Sequence, residues 1–139
     1  MKRVQFPRLG EVCCETVLDN GLKIQVVPRP GYLKSYAFFA TSYGGMNVRF
    51  RKDGVWQETP AGVAHFLEHK MFDTKEGNAL QKLTANGASA NAFTAAAMTA
   101  YYFDCTERFE ENLRTLLSFV SQSYFTQESV DKEQGIIGQ

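Results

Sequence analysis

The two histidines of this 139-residue chain stand four residues apart, as His65 and His69, with Glu68 between them. They lie in the stretch Thr59-Pro-Ala-Gly-Val-Ala-His-Phe-Leu-Glu-His-Lys-Met-Phe72, which constrains the fold more than any other. Thr59 is a favourable N-cap and Pro60 suits a first helical position, so a helix is expected to begin there. At about 100° per residue, Val63, Phe66, Leu67 and Met71 fall on one side and are expected to face a core. His65, Glu68, His69 and Phe72 gather within about a third of the circumference on the other side. Residues four apart on a helix have β-carbons about 5–6 Å apart, so the two imidazoles can converge on one metal ion.

A zinc ion accepts imidazole nitrogen at about 2.0–2.1 Å, favours four ligands and keeps one position for water in a catalytic site. A carboxylate beside that water can take its proton as the water attacks a carbonyl. Glu68, one turn from His65 and adjacent to His69, stands where such a base must sit. The order His-x-x-Glu-His is the inverse of the commoner zinc-protease arrangement. The pattern alone leaves two readings open: a metal site, or two half-exposed polar residues at helical spacing.

The length fits one domain with a real core and is short for two. A hydrophobic fraction of 44% and a charged fraction of 22% are those of a soluble globular protein. Fifteen basic and fifteen acidic residues cancel, which argues against nucleic acid or an anionic membrane as principal partner. No apolar run approaches the roughly 18 residues of a membrane span, and the start lacks a signal-peptide core, so a cytoplasmic location is expected. Cys13, Cys14 and Cys105 show no C-x-x-C spacing, and neighbours on a strand point to opposite faces, so they are expected to be free thiols.

Along the chain, Val12 to Leu18 and Leu22 to Val27 read as strands around the turn Asp19-Asn20-Gly21. Tyr36 to Tyr43 reads as a strand that is apolar on both faces, hence central. Met46 to Phe50 and Val55 to Gln57 are short extended pieces around Lys52-Asp53-Gly54. A second helix is expected over Asn78 to Asn86, capped by Asn78 and stopped by Gly87. Two strands follow, Ser89 to Thr94 and Met98 to Thr106. Thr106 should then cap a helix with Phe109, Leu113, Leu116, Leu117 and Val120 on its core face. Thr126 starts a last helix in which Val130, Glu133 and Ile137 share a side. Gly138 is a weak stop, so the helix is expected to run on in a longer protein.

These blocks resemble the insulinase/pitrilysin family of zinc peptidases, the inverzincins, and within it a bacterial YfmH-like subgroup. The resemblance spans essentially the whole chain. It rests on Asp19-Asn-Gly-Leu-Lys-Ile24, Gly62-Val-Ala-His-Phe-Leu-Glu-His-Lys-Met-Phe72, Asn91-Ala-Phe-Thr94 and Val130-Asp-Lys-Glu-Gln-Gly-Ile-Ile-Gly-Gln139. It implies that His65 and His69 are zinc ligands and that Glu68 is the general base. Glu133, otherwise readable as a solvated helix glutamate, matches a residue that supports the ligands from behind. The third ligand would be a second glutamate seven positions later, beyond Gln139, so zinc is expected to bind weakly to this fragment. Asn91, Ala92, Phe93 and Thr94 match an edge strand to which an extended substrate adds as a further strand, with side-chain pockets giving preference. Read without the family, they are a plain hairpin strand with Phe93 in the core, and Phe72 is expected to pack rather than line the site.

The implied fold is α+β, a mostly antiparallel sheet with helices on one face. It forms the first part of a duplicated, processing-peptidase-like architecture, with residues 1–139 as one C-terminally truncated domain. The implied function is zinc-dependent endoproteolysis of extended or unfolded peptides by the full-length protein, the fragment itself being inactive. Besides peptide, a second copy or a related peptidase-like chain is an expected partner. The rival class is a catalytically inactive scaffold or peptide-binding subunit, which has no physical need for His65, Glu68 and His69 together. A third reading leaves both histidines structural and no metal bound.

Overall fold

The computed structural model describes residues 1–137; what was expected of Gly138, Gln139 and the Ile137 side chain lies outside the described residues. The chain divides into two compact units, Met1–Leu33 and the rest from Lys34. The first unit is an antiparallel sheet of β1 (Lys2–Phe6), β2 (Glu11–Val17) and β3 (Lys23–Val26), in that order. The Asn-Gly turn forms as expected: Gly21 takes φ +85° and the Asn20 side chain accepts from the Leu22 amide at 3.0 Å. Strand β1 was not foreseen, because its basic, sparsely apolar sequence carries little period-two signal. Its pairing with β2 runs from Lys2 opposite Glu15 to Phe6 opposite Glu11. The three cysteines are free.

The second unit is built on β4 (Ser35–Thr41), β9 (Ser89–Thr94) and β10 (Thr99–Cys105), with spatial order β4-β10-β9. Here the expectation for the Tyr36–Tyr43 run is corrected: β4 lies at an edge and β10 is central. Both strands are apolar on both faces, and what separates them is cover. Phe39, Tyr101, Phe103 and Ala92 face the core, whereas Tyr36, Phe38, Phe93 and Tyr102 stack on one another on the other face. Phe38 stays 47% exposed. Phe93 therefore belongs to this aromatic face and not to the core.

Helices α1 (Val63–Lys70), α2 (Ala79–Ala85) and α3 (Phe109–Ser121) pack against the β4-β10-β9 sheet, and α4 (Gln127–Ile137) packs on α1. Small hairpins β5–β6 (Arg49–Lys52, Val55–Glu58) and β7–β8 (Asp73–Thr74, Gly77–Asn78) complete the described residues. The antiparallel sheets with helices gathered on one face are the expected α+β class. The core joins Ala37, Leu83, Tyr101, Phe103, Leu116 and Phe119, with Met71 and Phe72 against it. Phe72 packs as expected, its ring 5.6 Å from that of Tyr101 and 5.1 Å from that of Phe119.

Helix α2 forms as read, with Asn78 accepting from the Leu80 and Gln81 amides and Gly87 at φ +78°. For α1 and α3 the structure departs from expectation. Helix α1 starts at Val63 behind Gly62, whose φ of +90° makes it the cap, so neither Thr59 nor Pro60 opens it. Its buried residues are Ala64, Glu68 and Lys70; of the expected apolar stripe Met71 packs against the core, while Val63, Phe66 and Leu67 are only half-buried, because the sheet covers the Glu68 side. Helix α3 is capped by Arg108 at φ +55° and not by Thr106. It buries Asn112, Thr115, Leu116 and Phe119 and leaves Leu117 41% exposed.

Candidate active site

Helix α1 carries His65, Glu68 and His69 toward the end of strand β9. One turn of helix brings the two rings together, with centroids 4.7 Å apart and planes at 85°. Their Nε2 atoms approach to 3.0 Å. The His69 Nδ1 lies 2.8 Å from Glu133 Oε1 on α4. That approach is off the line of an N–H donor, and Oε1 keeps no hydrogen-bond partner although buried. Glu133, with its side chain 13% exposed, is thus no solvated helix residue.

Glu68 is 8% exposed, and one of its oxygens, Oε2, accepts a hydrogen bond from Thr94 Oγ1 at 2.6 Å. Fixing a buried carboxylate by a short hydroxyl bond holds it in one rotamer and offsets part of its lost hydration. The negative charge of Glu68 is also felt by Tyr101, whose phenol is pushed well above its usual range by burial first and by Glu68 second.

A cleft of about 580 Å³ opens beside these groups, lined by Gly45, His65, Glu68, Ala92, Phe93, Thr94, Ala95 and Ala96. Of the four residues expected to bind substrate, Ala92, Phe93 and Thr94 line it. Asn91 does not. Its side-chain oxygen instead accepts from the Ala92 amide at 2.9 Å. Strand β9 is an edge among the described residues. The Ala95 amide bonds to Met98 O across the turn, which sets the alternation of the ladder. Ala92 opposite Tyr101 and Thr94 opposite Thr99 then take the positions whose main-chain groups face the open edge.

The cleft wall is fastened by the segment after β4. The Gly45 and Met46 amides donate to Ala95 O and Ala96 O, both at 2.9 Å. A β-carbon at Gly44 would sit 2.4 Å from Ala95 O and 2.5 Å from Met98 N. Only glycine allows this approach.

An approach of 3.0 Å between the two Nε2 atoms is that of nitrogens sharing one proton or one cation. Two ligands at about 2.0–2.1 Å in a tetrahedral arrangement stand about 3.3 Å apart, so the pair fits a shared zinc ion with small adjustment. The Glu133 oxygen beside His69 Nδ1 is a carboxylate of the kind that can orient a ligating imidazole. Among the described residues no group of three His, Cys, Asp or Glu side chains surrounds one metal position. The donor set within residues 1–137 is therefore two nitrogens.

Fold and site together define a chain of the inverted zinc-protease type. The model for the insulinase family, peptidase family M16, matches residues 51–139. The chain belongs to that family. It is 44% identical over 141 aligned residues to the uncharacterized zinc protease YmfH of Bacillus subtilis (strain 168), covering 100% of this chain and 33% of that protein. It is 32% identical to bovine insulin-degrading enzyme over 124 residues, 84% of this chain and 11% of the enzyme. Among solved structures, an M16-like peptidase from Alicyclobacillus acidocaldarius superposes with a TM-score of 0.88 at 42% identity, over 96% of this chain and 31% of that one. The chain thus spans about a third of YmfH and a smaller share of the longer relative.

Proposed function

We propose that residues 1–139 are the N-terminal part of a zinc-dependent endopeptidase that cuts extended or unfolded peptides. The observation that carries this reading is the placing of two converging imidazoles and a buried, hydrogen-bonded carboxylate at one end of an open strand edge. His65 and His69 would hold the zinc through their Nε2 atoms, with a further ligand supplied from beyond residue 139. Bound zinc would supply Lewis acidity and lower the pKa of water toward about 7.

The remaining work falls to this chain's own residues. Glu68, held by Thr94, accepts the proton from the attacking water and is placed to return it to the leaving amine. The free edge of β9 binds the peptide main chain, because the outward groups of Ala92 and Thr94 offer one strand's worth of hydrogen bonds. A substrate carbonyl takes over the Ala92 amide from the Asn91 side chain. Folded proteins present no free extended segment, which selects unfolded or flexible peptides. A second copy or a related peptidase-like chain is a suitable partner for such a half-site.

Glu68→Gln in the complete protein tests the mechanism, since glutamine keeps the shape and loses the base. Peptide cleavage should vanish while zinc stays bound at one per chain. Cleavage that survives this change removes Glu68 from the reaction.

A further inference from the structure

We infer that Lys70 is a positioning residue for the metal site: it clamps the segment before α4 to the end of α1 and thereby sets Glu133 against His69. The inference rests on the zinc reading above. Lys70 follows His69 directly and is 0% exposed. Its Nζ donates to Asp73 Oδ2 at 2.9 Å and to the Tyr124 carbonyl at 3.4 Å, and lies 5.7 Å from the centre of the Phe125 ring. The ammonium thus spends its donors on one neighbour in sequence and one segment 54 residues away.

A buried ammonium is costly unless fully partnered, and an apolar side chain of the same length would fill the space without that cost. What the apolar chain could not do is hold the Tyr124 carbonyl. Tyr124 and Phe125 lead directly into the start of α4, where Thr126 and Ser129 exchange side-chain and main-chain hydrogen bonds. Glu133 lies seven residues past Thr126, about two helical turns, so a shift at the start of the helix is carried to its carboxylate. The rest of α4 is thinly held: from Gln127 to Ile136 only Ser129, Val130 and Glu133 are half-buried and the others are exposed. Lys70 is therefore the buried anchor of a helix that otherwise touches its neighbours lightly. Its task is to keep a supporting carboxylate within reach of a ligating ring, a contact whose loss weakens zinc binding about 10- to 100-fold in comparable sites.

The experiment is a double-mutant cycle on zinc affinity in the complete protein, read by competition with a chromophoric chelator, with no activity measurement involved. Lys70→Met should weaken zinc binding about tenfold or more, and Glu133→Gln should do likewise. The double variant should bind no more weakly than Glu133→Gln alone, because Lys70 acts through Glu133. Additive losses, or wild-type affinity in Lys70→Met, overturn the inference. Should Lys70→Met not fold, Phe125→Ala decides from the exposed end of the same clamp: affinity must fall when Glu133 is present and not when it is Gln. Wild-type protein that binds no zinc sinks the metal reading itself, a result separable from any difference among the variants.

Discussion

Replacing Thr94 by valine removes one hydroxyl and little else, since the two side chains have the same shape. The hydroxyl is the donor that reaches Glu68 Oε2 at 2.6 Å across 26 residues of sequence. A hydrogen bond to a charged group contributes about 1.5–3 kcal/mol, and a buried acceptor left without its donor costs as much again only if nothing else reaches it. Glu68 borders the cleft, so water can replace the hydroxyl in part, and the lower half of that range is expected, about 1.5–2 kcal/mol. The assay is urea unfolding at neutral pH, with the change read from the midpoint at constant slope. Thr94→Ser should recover most of the loss. In a Glu68→Gln background the same valine should cost only about 0.5–1 kcal/mol, as for a neutral pair, which leaves about 1 kcal/mol of coupling. Turnover should follow the same order, wild type near serine and valine well below, because a carboxylate misplaced by about 1 Å loses about 100-fold in rate. A valine variant within about 0.5 kcal/mol of wild type, the scatter of ordinary surface changes, would refute the claim that this bond fixes the base.

Gly44→Ala must push a β-carbon into Ala95 O, Met98 N and Ala96 O, all main-chain atoms closer than 3.0 Å. The expected result is about 1–3 kcal/mol of destabilisation, as for overpacking, together with a raised KM as the cleft wall moves; an unchanged KM and midpoint would show that the wall is not set here. Tyr101 offers a pH test. Its raised pKa means that stability is whole below the unfolded value near pH 10 and is lost as pH rises above it, by up to about 1.4 kcal/mol per pH unit. Tyr101→Phe should flatten that alkaline slope, and equal slopes between pH 9.5 and 11 for variant and wild type would contradict the assignment.

How much of this was legible in the sequence follows from the range of the interactions. The pairing of His65 with His69 needs only a helical turn, and the Asn20-Gly21 hairpin and the Asn78 cap need only their own neighbours. All three form. The placing of β4 at an edge and β10 at the centre depends on which strand receives cover on both sides, and no local pattern records that. The start of α1 departs from its local signal because a left-handed Gly62 overrides Thr59-Pro60. Nothing in the local sequence marks Lys70 for burial, and only its contact with the 124–125 segment turns its ammonium into a buried clamp. Glu133 could be placed beside the histidines by resemblance alone, since 64 residues of chain separate it from His69.

The same contacts argue for a cation on grounds of charge. Two carboxyl side chains, Glu68 at 8% and Glu133 at 13% exposed, are drawn in beside the imidazole pair. Thr94 answers one Glu68 oxygen, and His69 stands near Glu133 without a proper hydrogen bond to the orphaned Oε1. A divalent ion held by His65 and His69 would balance both carboxylates and would leave Glu68 to handle a proton. Lys70 cannot take that role, because its ammonium is committed to Asp73 and the Tyr124 carbonyl. The helix therefore presents a fixed cation on one side for structure and, on the other, the histidines and carboxylate to which the proposed function assigns the metal.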